Sequence, residues 1–171
     1  MRPVTKLLIT VISGFYLACL LMPGLEEHLY LNRYLVFNSG EYWRLLTVAL
    51  THGGLAHLFF NMYALLVLGN SLESAIGQKK FLSIFVISQI GASFASIYFG
   101  AINVVSVGAS GAIFGLFGAM IVLSKKYGLE TKSTYVIVGI NFVIGFIFPG
   151  IDWHAHLGGL ISGFIAASVL L

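Results

Sequence analysis

Six stretches of this chain, residues 7–22, 53–72, 81–102, 110–124, 133–148 and 156–171, are almost continuously apolar and free of charged side chains. A soluble domain has no use for six such segments joined by short connections. A bilayer core of about 30 Å takes about 20 helical residues, and shorter helices cross it where protein or water covers their ends. The pattern therefore predicts an all-α membrane protein with six transmembrane helices, forming a single domain over residues 1–171. Only 9% of the residues are charged, against roughly a quarter in an ordinary soluble domain. The first stretch reads as a retained span, because no small-residue cleavage site follows Met22 and Pro23.

In a six-span arrangement Arg2, Lys6, Lys79, Lys80, Lys125, Lys126 and Lys132 fall on one side, and Arg33 and Arg44 on the other. The positive-inside rule then puts both termini in the cytoplasm, in a multi-pass protein of the cell membrane. The net charge of +3 follows from this asymmetry. No basic stripe is interleaved with aromatics, so no nucleic-acid partner is expected. Cys19 is the single cysteine, which excludes a disulfide framework and a cysteine-based metal site.

The longest connection, about residues 23–52, alternates Glu26, Glu27, Arg33, Glu41 and Arg44 with Tyr30, Leu31, Tyr34, Leu35, Phe37, Tyr42 and Trp43. It predicts an ordered outer loop lying in the headgroup layer. Two spans are short. Residues 110–124 are 15 in number and rise only about 22 Å. With Lys125 and Lys126 at the cytoplasmic surface, Ser110 lies below the outer surface, and His156 starts its span at a similar depth. Residues 103–109 and 149–155 must then dip inward, which backbone does only where protein buries it or it lines a wet cavity.

Polar groups inside spans are costly and mark functional sites by default. Gly108-Ala109-Ser110-Gly111 opens one apolar helix, and Ala155-His156-Leu157-Gly158-Gly159 opens another. A serine and a histidine at the mouths of separate helices suggest a nucleophile and its base. His57 and Asn61 are four apart and share a helical face near the outer end of the second span. Both are donors suited to an oxyanion hole with the backbone N–H of Ser110. Phe114, four residues beyond Ser110, is placed to brace the imidazole. Glu73 is a further ionisable group within a span. Singly, these residues also fit plain packing: Gly111 with Gly115, and Gly159 with Gly163, are small-xxx-small pairs, and Ser83, Ser88, Ser93 and Ser96 read as interhelical hydrogen-bonding residues. Packing alone does not require a serine, two histidines and an asparagine at one depth.

Other intramembrane chemistries fail on inventory. Asp152 is the one aspartate, so no aspartyl dyad forms within the chain. There is no H-E-x-x-H metal motif, and Ala112 replaces the last glycine of a G-x-S-x-G elbow. Lys125 is 15 residues from Ser110, more than about 20 Å along one helix. A channel or carrier using His52, His57, His154 and His156 lacks a continuing chain of carboxylates toward the cytoplasm. Neither a cofactor nor a metal is expected. A dyad is favoured over a triad, since Asp152 stands in a loop, and His154 reads as a rim residue.

Taken in order, these residues resemble the rhomboid intramembrane serine proteases. The similarity runs through Trp43-Arg44, His52, the H-x-x-x-N of His57 and Asn61, and the G-x-x-x-E-x-x-x-G of Gly69, Glu73 and Gly77. It continues through the G-A-S-G around Ser110 and the A-H-x-G-G-x-x-x-G from Ala155 to Gly163. The resemblance implies a rhomboid-like bundle with an extended outer loop between spans 1 and 2, and a Ser110–His156 dyad. His57, Asn61 and the Ser110 amide would stabilise the oxyanion, with Gly108, Gly111, Phe114 and Gly159 in support. It implies cleavage of single-span transmembrane substrates near their extracytoplasmic ends, the site opening to that side. An inactive rhomboid-like protein that binds membrane helices without cutting them is the alternative. Phe114 stands where some members carry tyrosine, and the chain resembles the six-span core without an added domain or seventh span. In this family the second and fifth spans frame substrate entry, so Phe142, Phe146 and Phe148 are the expected gate.

Overall fold

Pro3 presets φ for a first helical turn and has no N–H to leave unpaired, so α1 (Pro3–Leu21) begins one turn ahead of the apolar run. The N–H groups that follow find their acceptor on α4 (Leu55–Ile76). Glu73 accepts from the Val4 N–H at 3.0 Å, the Thr5 N–H at 2.8 Å and the Thr5 hydroxyl at 2.8 Å. This intramembrane carboxylate therefore caps α1. Gly77, at φ 81°, ends α4 and lets α5 (Gln78–Phe99) start at the next residue. The structure, a computed structural model, describes all residues except 102–104, 129, 131, 148 and 149, and all side chains except those and 141, 142 and 144–147.

The long loop between α1 and α4 is ordered by its own polar groups. It contains β1 (Leu31–Asn32), α2 (Arg33–Asn38) and α3 (Arg44–Thr47), with 3₁₀ turns at Glu26–His28 and Val48–Leu50. Asn32 caps α2 by accepting from the Tyr34 and Leu35 N–H groups at 2.9 and 3.2 Å. Arg44, only 2% exposed, donates to the carbonyls of Glu27 and Tyr30, both at 2.8 Å, and pairs with Glu41. Its guanidinium also lies 5.2 Å from the Tyr30 ring centroid. Trp43 and Thr47 bind the His28 and Leu29 carbonyls. A buried guanidinium satisfying two carbonyls and a carboxylate fixes a loop that has little apolar core of its own.

Past α5, the short strand β2 (Val105–Ser106) pairs antiparallel with β1, Leu31 opposite Ser106 and Asn32 opposite Val105. Then come α6 (Ser110–Tyr127), α7 (Lys132–Ile147) and α8 (Trp153–Leu170). Every residue from Gly111 to Ala119 is buried, because α6 runs through the middle of the bundle with α4, α5 and α8 packed against it. A helix apolar on all sides belongs in such a position. α1 packs on α4 at the periphery, and α7 leans on α6 and α8.

Glycine sets the approach of α6 and α8. A Cβ at Gly159 would overlap the Gly111 carbonyl, and one at Gly163 would overlap the Gly115 backbone. Gly118 meets the Leu160 carbonyl and the Phe164 backbone in the same way. Helices this close exchange dispersion contacts along their backbones, the main attraction open to helices surrounded by lipid.

The chain is mostly helical, and α1, α4, α5 and α8 are long and apolar enough to cross a membrane by length and composition. The expected start of the last helix at His156 is corrected to Trp153, because Asp152 caps α8 by accepting from the Ala155 N–H at 3.1 Å. Among the serines expected to bridge helices, Ser93 binds the Leu45 carbonyl and Ser96 reaches Asp152. Ser88 instead bonds within its own helix, to the Ile84 carbonyl. The expected gate lies outside the described residues: Phe148 entirely, and Phe142 and Phe146 in their side chains.

The glycine contacts give a stability prediction. Gly159→Ala should cost about 1–3 kcal/mol by overpacking, whereas Gly139→Ala, inside α7 with nothing within 4 Å of its Cβ, should cost nothing, since alanine is the better helix former. Thermal unfolding of both variants in detergent checks this, and equal melting temperatures would contradict the packing.

Candidate active site

Ser110 is the first residue of α6, where the leading N–H groups have no intrahelical acceptor. The chain reaches it through Gly108, held at φ 116° with its N–H donated to the Val48 carbonyl at 3.0 Å. Few L residues tolerate that φ. A Cβ there would also lie 2.8 Å from Cε1 of His57, 3.1 Å from its Nε2 and 3.8 Å from Oγ of Ser110. Glycine thus leaves open a small space that the His57 ring and the Ser110 hydroxyl share.

His156 lies one turn inside α8, its N–H bonded to the Asp152 carbonyl at 3.2 Å. Across the α6–α8 contact its Nε2 is 2.9 Å from Ser110 Oγ. Phe114 stacks on the imidazole, centroids 4.1 Å apart and planes 11° off parallel, so the ring has little freedom to turn. His156 is 8% exposed, and its Nδ1 is buried with no hydrogen-bond partner among the described residues.

Asn61 lies one turn along α4 from His57 and donates from Nδ2 to the His57 carbonyl at 2.9 Å. One amide hydrogen is used there, and the second remains available. His52, just before α4, meets His57 edge-on at 5.1 Å and Tyr16 edge-on at 6.5 Å. Burial, reinforced by His57 beside it, pushes its imidazolium down to about 3, so His52 is neutral at physiological pH.

The structure thus brings Ser110, His156, Phe114, Gly108 and His57 together, with Asn61 adjoining and Gly111 and Gly159 in the helix contact beneath. Glu73 is elsewhere: 16 residues separate it from His57, about 24 Å along α4. His154 stacks on Trp153 at 3.8 Å and turns toward Asp152, its Nδ1 3.6 Å from Oδ1. Asp152 is spoken for as a helix cap and as acceptor from Ser96 and Ser106. An Asp just ahead of an apolar helix is a sequence-level N-cap signal. Its serine partners lie far away in sequence and carry no such signal. Among the described residues no group of three or more His, Cys, Asp or Glu is arranged to hold a metal ion.

A hydroxyl on an imidazole nitrogen, beside a helix N-terminus and two further donors, is the equipment of acyl transfer. The rhomboid-domain family model matches residues 39–171, and the chain belongs to the rhomboid family of multi-pass membrane proteins. It is 44% identical over 137 residues to the rhomboid protease GluP of Bacillus subtilis, covering 77% of this chain and 27% of that protein. RHOMBOID-like protein 5 of Arabidopsis thaliana is 39% identical over 158 residues, 88% of this chain and 50% of the relative. Inactive RHOMBOID-like protein 8 of the same plant is 38% identical over 129 residues, 71% of this chain and 36% of the relative. The chain therefore spans between about a quarter and a half of the length of these relatives.

The Gly108 geometry predicts that Gly108→Ala displaces the His57 ring. NMR of labelled histidine should show shifted His57 resonances, with those of His28, in the outer loop, unchanged. An unshifted His57 would contradict the contact.

Proposed function

We propose that the protein is an intramembrane serine endopeptidase that cuts the transmembrane helices of membrane-protein substrates near their extracytoplasmic ends. The observation that carries this reading is the 2.9 Å contact between Ser110 Oγ and His156 Nε2, made between two helix mouths 46 residues apart in sequence. Ser110 attacks the scissile carbonyl carbon as His156 Nε2 takes the hydroxyl proton. The resulting oxyanion is met by the Ser110 N–H, the free amide hydrogen of Asn61 and the His57 ring. Collapse breaks the C–N bond, and the imidazolium returns its proton to the departing amine. Water, activated by the same imidazole, then hydrolyses the acyl-enzyme. Phe114 keeps the imidazole oriented through both transfers.

Six spans in one domain, with both termini cytoplasmic, would open this site outward, since Ser110 and His156 stand at the ends of α6 and α8 away from Lys125 and Lys126. The relative named inactive makes helix binding without cleavage the competing reading. The Ser110–His156 contact favours cleavage, because binding alone has no use for it.

Incubation of the purified protein in vesicles with a single-span substrate tests the proposal. Cleavage near the outer end of the helix is expected, lost in Ser110→Ala and in His156→Ala, with the double variant no worse than either. His154→Ala should keep most activity. A dead His154→Ala beside an active His156→Ala would overturn the assignment of the base. Asn61→Ala should lower kcat by up to about 10²- to 10³-fold with little change in KM, and the reverse pattern would make Asn61 a docking residue.

A further inference from the structure

Asp152 stands four residues before His156, and Ser106 stands four residues before Ser110. The two are hydrogen-bonded to each other: Asp152 Oδ2 accepts from the Ser106 hydroxyl at 2.6 Å. The same oxygen accepts from the Ser96 hydroxyl on α5, whose oxygen lies 2.9 Å from that of Ser106. Ser96 and Ser106 are both buried. On its other side Asp152 holds α8, Oδ1 on the Ala155 N–H and the main-chain carbonyl on the His156 N–H. We infer that Asp152 is a positioning residue that locks the chain segment carrying Ser110 to the one carrying His156. This inference rests on reading those two residues as nucleophile and base.

The need for such a lock follows from the helix contact. Glycine against carbonyl, as at Gly159 on Gly111, sets how near the axes of α6 and α8 come. The slide of one helix along the other is a separate degree of freedom. The Ser110–His156 contact depends on that slide, and a misplacement of about 1 Å costs on the order of 10²-fold in rate. Ser106 is itself held by the ladder of β2 on β1, and Gly108 by the Val48 carbonyl. Asp152 thus joins an anchored arm to the first turn of α8. Hydroxyl bonds to a carboxylate are charge-assisted, roughly twice as strong as neutral ones. A helix cap needs only one acceptor oxygen, which serine or asparagine supplies equally well. The second carboxylate oxygen is the one that faces Ser106 and Ser96.

Four proteins test this: wild type, Ser106→Ala, Asp152→Ala and the double variant. Thr5→Ala serves as a destabilised control, since it loosens the Glu73 clamp at the far end of α4. The readouts are kcat and KM on a single-span substrate, the rate of Ser110 labelling by a fluorophosphonate, and the melting temperature. Ser106→Ala leaves the α8 cap intact, so it decides the matter even where Asp152→Ala folds poorly. The lock predicts that Ser106→Ala slows kcat and labelling by about tenfold, within the range expected of sub-ångström misplacement, with KM nearly unchanged. The double variant should be no slower than Asp152→Ala, and the two losses in melting temperature should be less than additive. Thr5→Ala should melt lower and keep the wild-type kcat. Wild-type kcat and labelling in Ser106→Ala would overturn the inference, as would additive melting losses or an equal loss of kcat in Thr5→Ala. A wild-type protein that neither cleaves nor labels would instead overturn the reading of Ser110 and His156. Additivity of the melting losses would still judge the lock.

Discussion

The contact between α6 and α8 is the constraint on which the rest depends. A serine hydroxyl sits on a short side chain, so it meets an imidazole on another helix only when the two axes are near each other, and here backbone touches backbone. Gly111 with Gly159, and Gly115 with Gly163, provide that approach below the site. One turn above it, Ser110 Oγ and His156 Nε2 sit 2.9 Å apart. The glycines read as packing and the polar pair reads as chemistry, yet they are one device.

Close axes leave other freedoms open, and other residues remove them. Phe114 stacking restrains rotation of the imidazole. Gly108 aims the chain into α6 and leaves room for the His57 ring. The loop between α1 and α4, nailed by Arg44 to the Glu27 and Tyr30 carbonyls, supports β1, which in turn supports β2 just before Ser110. Arg44, the charged group among these, is buried and partnered, as polar groups in low-dielectric surroundings have to be. Among the described residues the buried atoms without partners are Nδ1 of His156, Oδ1 of Asn61, both ring nitrogens of His52 and Oε1 of Gln89, all but the last at or beside the site. Unpaired buried groups cost stability, and functional sites are where proteins carry that cost.

What the sequence made legible, and what it did not, divides along physical lines. Ser110, His156, His57 and Asn61 stood out because a polar residue in an apolar run is costly in a membrane, and the eye needs only hydropathy to find it. Phe114 followed from helical spacing alone. Glu73 stood out for the same reason as the site residues, yet it caps α1, since its partners Val4 and Thr5 lie nearly seventy residues away, beyond any local pattern. Hydropathy falls at Asp152-Trp153-His154 and so places the start of α8 too late, because the helix is begun at Trp153 by a cap that hydropathy does not register. The outer loop was legible as ordered, though not as a fold held by one arginine, because main-chain carbonyls have no signature in sequence.

The central claim is that His156 activates Ser110. A fluorophosphonate reacts covalently only with an activated serine hydroxyl, so its adduct, mapped by peptide mass, tests that claim without any assumption about substrate. A single adduct on Ser110 is expected in the wild-type protein and none in a folded His156→Ala variant. Modification of Ser110 at the same rate without the histidine, or no modification of the wild-type protein at all, would contradict it.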